Sequence, residues 1–369
     1  MARELDQGGV ERDVAKIAMH LDRARFTPHV ATYCAKGLRY EELRAAGVPI
    51  LHVPLGSMIS TNCIRCVLKF RRYIKEHRIR VVHSYDPSGA FSLPAGRLAG
   101  VPVVIGSQLS YRDLFDARTQ HLLRLSDHFA DAVLVNCEAM RRYMIEDEGI
   151  AAHRVELCYN GVVTGEFHPA PDAARPDAVA SASLVIGTVC VLRPEKALPL
   201  LQEAFAMVRK LKLGMKLLLV GSGPELPKLQ ENAARLGITG DTMFIPATRE
   251  VATWLRAMDI FVLPSYSEAF SNSLLEAMAS GCCVVGSRVG GTPELIGAQD
   301  ERGFLFESGN AGDLADKLGR LITDDTLRRD LGSRAVSFVR DNLTIEIAAR
   351  RTADIYQKLL ERKTGCRFG

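Results

Sequence analysis

The sequence predicts an α/β fold of two domains, each a parallel sheet flanked by helices. Short apolar runs alternate with amphipathic helical stretches along nearly the whole chain, as expected for parallel strands covered by helices. The alternation breaks at 167–182, where three prolines and many small residues show no periodicity. It then resumes as a second series, and 369 residues are enough for two cores.

The elements follow in order. Gly8 and Gly9 lead directly into a helix through Leu21, like a strand-to-helix loop with no strand before it. The strand that this architecture makes central to the first sheet is therefore expected to be missing, either because the chain lacks its native beginning or because that sheet is irregular. Apolar, β-branched runs place strands at 29–33, 50–53, 81–84, 103–106, 132–136 and 155–158. After the break, strands are expected at 184–190, 216–220, 242–245, 259–263 and 283–287, and an amphipathic helix at 344–360. The resulting division is 1–168 for the first domain, 169–182 for a linker, 183–342 for the second domain and 343–369 for a terminal helix. Two such units facing across a linker would form a cleft lined by strand ends, a preferred place for ligands.

Composition narrows the function. The chain is 47% hydrophobic and 24% charged with net charge +4, an ordinary soluble balance without the basic stripe that nucleic-acid binding needs. Nine scattered cysteines, an odd number without a signal peptide, point to a reducing, cytoplasmic compartment. Cys63 and Cys66 have no second pair to complete a zinc site, and Cys366 stands near the end. No apolar run reaches the roughly 18 residues of a membrane span. The basic stretch 64–80, with apolar residues at near-helical spacing, could instead touch an anionic membrane peripherally, although a solvated helix explains it more simply.

The chemistry concentrates between Asp259 and Gly281. An apolar run closed by Pro264 reads as a buried strand, and a helix with good formers ends at Gly281. The joining loop carries Glu268, and Glu276 lies one turn into the helix. A helix start offers backbone N–H donors to a phosphate, while carboxylates accept hydrogen bonds from sugar hydroxyls. The plainer reading of Ser273-Leu-Leu-Glu276 is a capping box. Arg193 and Lys196 follow another strand end, where a cationic pair can neutralise a diphosphate; as simple loop charges they would be solvated. The turn at Gly221-Ser-Gly223 lets backbone approach a ligand, and Gly290-Gly291-Thr292-Pro293-Glu294 reads as ordinary helix initiation.

Together these motifs resemble the retaining glycosyltransferases of family 4, with the GT-B fold of two Rossmann-like domains facing across a cleft. The resemblance covers nearly the whole chain, and the Glu268-x7-Glu276 pair is its most specific element. It implies that Glu268 touches the donor sugar and that Glu276 holds the nucleotide ribose. Phe270, Ser271, Asn272, Ser273 and Leu274 would present N–H groups to the diphosphate, and Lys196 would neutralise it, while Arg193 stands two positions after the family's usual arginine and is left open as its companion. Gly221, Gly8, Gly9 and Tyr159-Asn160-Gly161-Val162 look like family positions, the Gly8-Gly9 pair near the phosphates and acceptor. The terminal helix would cross back to the first domain.

The implied reaction moves a sugar from a nucleoside-diphosphate sugar to a glycan or lipid-linked acceptor with its anomeric configuration kept, in glycan, glycolipid or envelope polysaccharide synthesis. No metal or other cofactor is implied, and there is no Asp-x-Asp pair. The chain departs from the family pattern at Val191, where arginine is usual, at Ala269 for glycine and at Val163 for aspartate. Gln108 stands on the acceptor side where many members have histidine. These departures leave two alternatives open: a catalytically impaired nucleotide-sugar-binding protein, or a GT-B nucleotide-sugar epimerase.

Overall fold

The structure, a computed structural model, describes residues 1–6, 8–56, 61–85, 87–170 and 172–365. They form two compact units, Met1–Gly161 together with the segment from Ile345 onward, and Val162–Thr344. Cys366 lies outside the described residues, and the other eight cysteines are free.

In unit 1 the strands are β1 (Val30–Thr32), β2 (Ile50–His52), β3 (Val81–Tyr85), β4 (Val103–Gln108), β5 (Ala132–Val135) and β6 (Val155–Leu157). Its helices are α1 (Gly9–His20), α2 (Leu38–Ala45), α3 (Thr61–Glu76), α4 (Gly89–Leu98), α5 (Ala117–Asp127) and α6 (Glu138–Glu146). All pairings are parallel, but they fall into a two-stranded β1-β2 sheet and a four-stranded β3-β4-β5-β6 sheet. Met1–Arg3 stand between them. Ala2 N–H donates to Ala31 O at 3.0 Å, Tyr33 N–H to Arg3 O at 3.1 Å, and Tyr85 N–H to Met1 O at 2.9 Å. The place of the strand expected to be missing is thus held by three residues that join the two sheets, with a single parallel bridge from Ala2 to Thr32.

Unit 2 carries β7 (Leu184–Val189), α7 (Leu198–Val208), β8 (Met215–Val220), α8 (Leu226–Arg235), β9 (Thr242–Ile245) and α9 (Val251–Arg256). It continues with β10 (Ile260–Leu263), α10 (Asn272–Ala279), β11 (Cys283–Ser287), α11 (Thr292–Ile296), β12 (Gly303–Phe306), α12 (Ala311–Thr323) and α13 (Asp325–Asn342). One six-stranded parallel sheet runs in the order β12-β11-β10-β7-β8-β9. Its strands are apolar on both faces because helices cover both, and Leu184, Ile186, Leu217, Leu219, Ile260, Val262 and Val285 join a single core. The short, glycine-led β12 has no counterpart among the strands expected from the sequence.

The unit boundary at Gly161/Val162 precedes the stretch expected to be a linker. That stretch packs within unit 2: Val179 is buried, and Arg175 donates to both Asp259 carboxylate oxygens at 2.9 and 2.8 Å. Proline and small residues mark irregular backbone, but irregular backbone can still be fixed by polar anchors. The last helix, α14 (Ile345–Thr364), belongs to unit 1, where Ala353, Tyr356 and Leu360 share a core with Leu21, Ile105 and Leu134.

Candidate functional site

The sheet of unit 2 grows from β7 through β8 to β9 on one side, then from β10 through β11 to β12 on the other. The carboxyl ends of β7 and β10 therefore flank the point where strand order reverses, where open parallel sheets form their ligand crevice. Lys196 and Glu268 follow those two strands.

Each loop is shaped locally. After β7, Pro194–Lys196 form a 3-10 turn, and buried Ala197 takes a left-handed conformation with φ +49° before α7 begins. Pro at the first position suits such a turn, while a left-handed alanine is strained and persists because its surroundings hold it. After β10, the loop 264–271 is tied down from three directions. Tyr266 N–H donates to Glu195 O at 2.9 Å, Ser287 Oγ to Ser265 O at 2.6 Å and Gly291 N–H to Ala269 O at 2.7 Å. Gly290, at φ +49°, passes so close that a Cβ there would stand 1.6 Å from the Glu268 carbonyl oxygen. The double glycine read as helix initiation thus also seats Glu268.

Lys196 Nζ donates to Glu268 Oε2 at 2.6 Å, and Ser265 Oγ lies 3.3 Å from the same oxygen. The two charged side chains are 22 and 14% exposed. Burial opposes the ammonium charge, but the adjacent Glu268 carboxylate outweighs it and raises the Lys196 pKa above the ordinary value. Burial pushes the nearby Cys190 thiol up to about 12, so it stays neutral.

Helix α10 starts as the chemistry requires, with a different cap from the one expected. Ser271 is the N-cap, its Oγ accepting from Leu274 N–H at 3.3 Å and lying 3.2 Å from Ser273 Oγ. The Ser273-to-Glu276 capping box is therefore not formed, because the helix begins at Asn272 and places Glu276 beyond its third position. Glu276 is buried, as are Phe270 and Leu274, while Asn272 and Ser273 are partly exposed.

Three candidates sit differently from expectation. Arg193 is 60% exposed and lies 4.0 Å from Glu195. The Gly221 turn serves the protein's own packing: at φ +145°, a Cβ there would stand 1.8 Å from Cys190 O. Gln108, expected on the acceptor side, is buried in unit 1 with both ends of its amide engaged. It donates to Ser110 O at 2.6 Å and accepts from Arg112 Nε at 3.0 Å. An uncharged amide fits there because Arg112 already has two carboxylates, Asp127 at 2.5 Å and Glu148 at 2.7 Å.

The ion pairs of Arg112 have no local sequence signal, since its two carboxylate partners are 15 and 36 residues away. Arg124 and Arg112 hold Glu148 down at about 2 despite burial. Elsewhere in unit 1, Gly8 caps α1, Gly9 is its first residue, and Asn160 Nδ2 donates to Asp13 Oδ2 at 3.1 Å. Among the described residues no three His, Cys, Asp or Glu side chains group as metal ligands.

Comparison with known proteins adds the family. Residues 7–166 match the model for glycosyltransferase family 4, and residues 174–338 match glycosyl transferases group 1. N-acetyl-alpha-D-glucosaminyl L-malate synthase of Bacillus anthracis is 35% identical over 158 residues, 43% of this chain and 41% of that protein. D-inositol 3-phosphate glycosyltransferase of Kribbella flavida is 31% identical over 245 residues, 63% of this chain and 57% of that protein. The matched stretches thus span about half the length of these two relatives. Anabaena HepE, solved with UDP and glucose, superposes with TM-score 0.84 at 20% identity over 96% of this chain and 97% of that one, a likeness of fold. The chain is a family 4-type glycosyltransferase with the GT-B fold and its two Rossmann-like domains.

Proposed function

We propose that the protein transfers a hexosyl group from a nucleoside-diphosphate sugar to a glycan or lipid-linked acceptor, with retention and without a metal. The observation that carries this reading is the Lys196–Glu268 pair, set between the β7 and β10 ends beside the start of α10. An ammonium has three N–H donors and Glu268 takes one, leaving the others for diphosphate oxygens. The helix start adds backbone donors and the positive end of its dipole to the charge that grows as the anomeric C–O bond breaks. Glu268 accepts from sugar hydroxyls, Glu276 from the ribose, and 270–274 line the diphosphate. The acceptor hydroxyl attacks from the face the diphosphate leaves, and its proton passes to a departing phosphate oxygen. Anabaena HepE has been solved with UDP and with UDP-glucose, which supports a uridine nucleotide as the first donor to try.

The test is a thermal-shift screen over UDP-, GDP- and ADP-sugars, followed by NMR of the product's anomeric proton. A nucleotide sugar should raise the midpoint of the wild type and much less that of Lys196→Ala. Equal shifts in both proteins, or an inverted product, would refute the reading. Buried Gln108 favours a second one, silent nucleotide-sugar binding, because it supplies no ionisable group. Donor binding without turnover across glycan and lipid acceptors would select it.

We further propose a cytoplasmic protein that meets an anionic membrane through α3. No described helix is long and apolar enough to cross a membrane. Ile64 and Leu68 are 66 and 58% exposed, one turn apart, among exposed Arg65, Lys69, Arg71, Arg72 and Lys75. Apolar side chains ringed by cations suit a surface of acidic headgroups. Co-sedimentation with anionic but not neutral vesicles is expected, and recovery in the supernatant with both would end the idea.

A further inference from the structure

Three aromatic rings meet in unit 1 at the amino end of β1, the end away from the strand carboxyl termini. His29 directly precedes β1, Tyr73 lies in the last turn of α3, and His77 follows that helix. The ring centres of His29 and His77 stand 4.9 Å apart, those of Tyr73 and His77 4.2 Å, and those of His29 and Tyr73 5.6 Å. A hydrogen bond of 2.8 Å joins His29 Nδ1 to the Tyr73 hydroxyl. His29 Nε2 and both ring nitrogens of His77 have no hydrogen-bond partner among the described residues. His29 is half-buried and His77 exposed, so solvent reaches the pair.

The main chain fixes both histidines. His77 N–H donates to Tyr73 O at 3.0 Å, Arg78 N–H to Lys75 O at 3.3 Å and Ile79 N–H to Ile74 O at 2.9 Å. With Arg78 at φ +51°, these bonds form the left-handed turn that closes α3, and His77 is its capping residue. On the other side, Val30 N–H donates to Pro49 O at 2.9 Å and holds the chain just after His29.

We propose that His29 and His77 form a two-imidazole site for a divalent transition ion such as Zn²⁺, Ni²⁺ or Cu²⁺, with water completing the coordination. A metal bonded to an imidazole nitrogen at about 2.0–2.1 Å stands about 3.2 Å from the ring centre, so rings 4.9 Å apart subtend about 100° at the ion. That angle serves tetrahedral and octahedral ions alike, and imidazole selects these metals over Mg²⁺ and Ca²⁺. Coordination through His29 Nε2 puts the ring proton on Nδ1, where the Tyr73 oxygen accepts it and holds the ring in place. Burial, and then the neighbouring His77, lower the His29 pKa, which favours the neutral form that binds metal. The carboxyl end of α3 adds the negative end of its dipole. Lys75, Arg78 and Arg80 are exposed, so water screens their opposing charge. The ion would clip the start of β1 to the end of α3 and takes no part in chemistry at Lys196 and Glu268, which lie in the other unit.

The experiment titrates the full, tag-free chain with Ni²⁺, chosen because the partly exposed thiols of Cys34 and Cys63 compete for softer ions. Calorimetry should give one ion per chain, and Mg²⁺ should give no heat of binding. In proton NMR, paramagnetic Ni²⁺ should broaden the ring signals of His29 and His77 before those of the other histidines. His29→Gln and His77→Gln should each weaken binding at least tenfold, and Tyr73→Phe, which keeps the ring but releases Nδ1, by about tenfold. Wild-type affinity in any of the three variants overturns the proposal. Earlier broadening of other histidines, read on the unaltered chain and so independent of how the variants fold, overturns it as well.

Discussion

The two units are built from the same parts, parallel strands under helices, yet they are held together differently. Unit 2 has one unbroken sheet with a large core on one face, and the loops after β7 and β10 are fixed by main-chain bonds and by glycines where backbone meets backbone. Unit 1 has a sheet joined by three residues, cores divided among separate clusters, and a buried arginine with two carboxylates. The half carrying the charged pair is thus the one with the continuous sheet, the kind of support that holds a site in one geometry. The difference also implies that unit 1 fails first under stress, and the single tryptophan, Trp254 in α9, reports on unit 2 alone.

The largest effect is expected at Arg112. Arg112→Ala removes the ion-pair partner of Asp127, 8% exposed, and leaves Glu148, 3% exposed, with Arg124 and Tyr143 alone. Breaking one partner of a buried network costs about 3–5 kcal/mol. In denaturant, circular dichroism should show an early transition while Trp254 fluorescence keeps its wild-type midpoint. Coincident transitions would show that the units unfold together, and the comparison would fail.

Next comes the pair itself. Lys196→Ala is expected to lower kcat by roughly 10²–10³, the usual loss when one preorganised donor to a leaving group is removed. The circular-dichroism transition of unit 1 should not move. A fall below tenfold would remove Lys196 from the chemistry. Gly290→Ala should follow at about 1–3 kcal/mol, because alanine must adopt φ +49° against the Glu268 carbonyl. It should shift the Trp254 transition and weaken donor binding together; a shift in neither would mean that the loop yields at no cost.

How much of this was legible in the sequence follows the same division. Strands of unit 2 such as 259–263 read clearly because burial on both faces makes them continuous apolar runs, and Lys196 and Glu268 read clearly because each follows such a run. Gly303–Phe306 escaped because four residues led by glycine give no periodic signal. The Gly221 turn shows in the sequence that backbone must come close to something without showing to what; in the structure one close neighbour is Cys190 O. In unit 1, Gln108 reads as an acceptor-side residue only through the family position it shares with a histidine, and nothing in its neighbourhood of sequence shows that Arg112, four residues on, brings it into a buried network with the distant Asp127 and Glu148. Met1–Arg3 were unreadable as a strand because three residues carry no pattern, and only their partners on both sides define them.

The smallest effect, in any one pH unit, separates the units by proton uptake. The Met1 amine has its pKa lowered by burial from 8.0 to about 5. Between those values the unfolded chain binds a proton that the folded chain does not, so unit 1 loses stability as pH falls from 8 toward 5. The slope is at most about 1.4 kcal/mol per pH unit. His83, held below its ordinary 6.5 first by burial and then by the terminal charge, acts in the same direction as pH approaches and passes that value. Melting followed by circular dichroism between about pH 8 and 7 therefore weights the amine most, and acetylating Met1 should flatten that dependence while the Trp254 transition stays put. If unit 1 keeps its midpoint across this range, the amine reaches water, and the junction at Met1–Arg3 is looser than its hydrogen bonds imply.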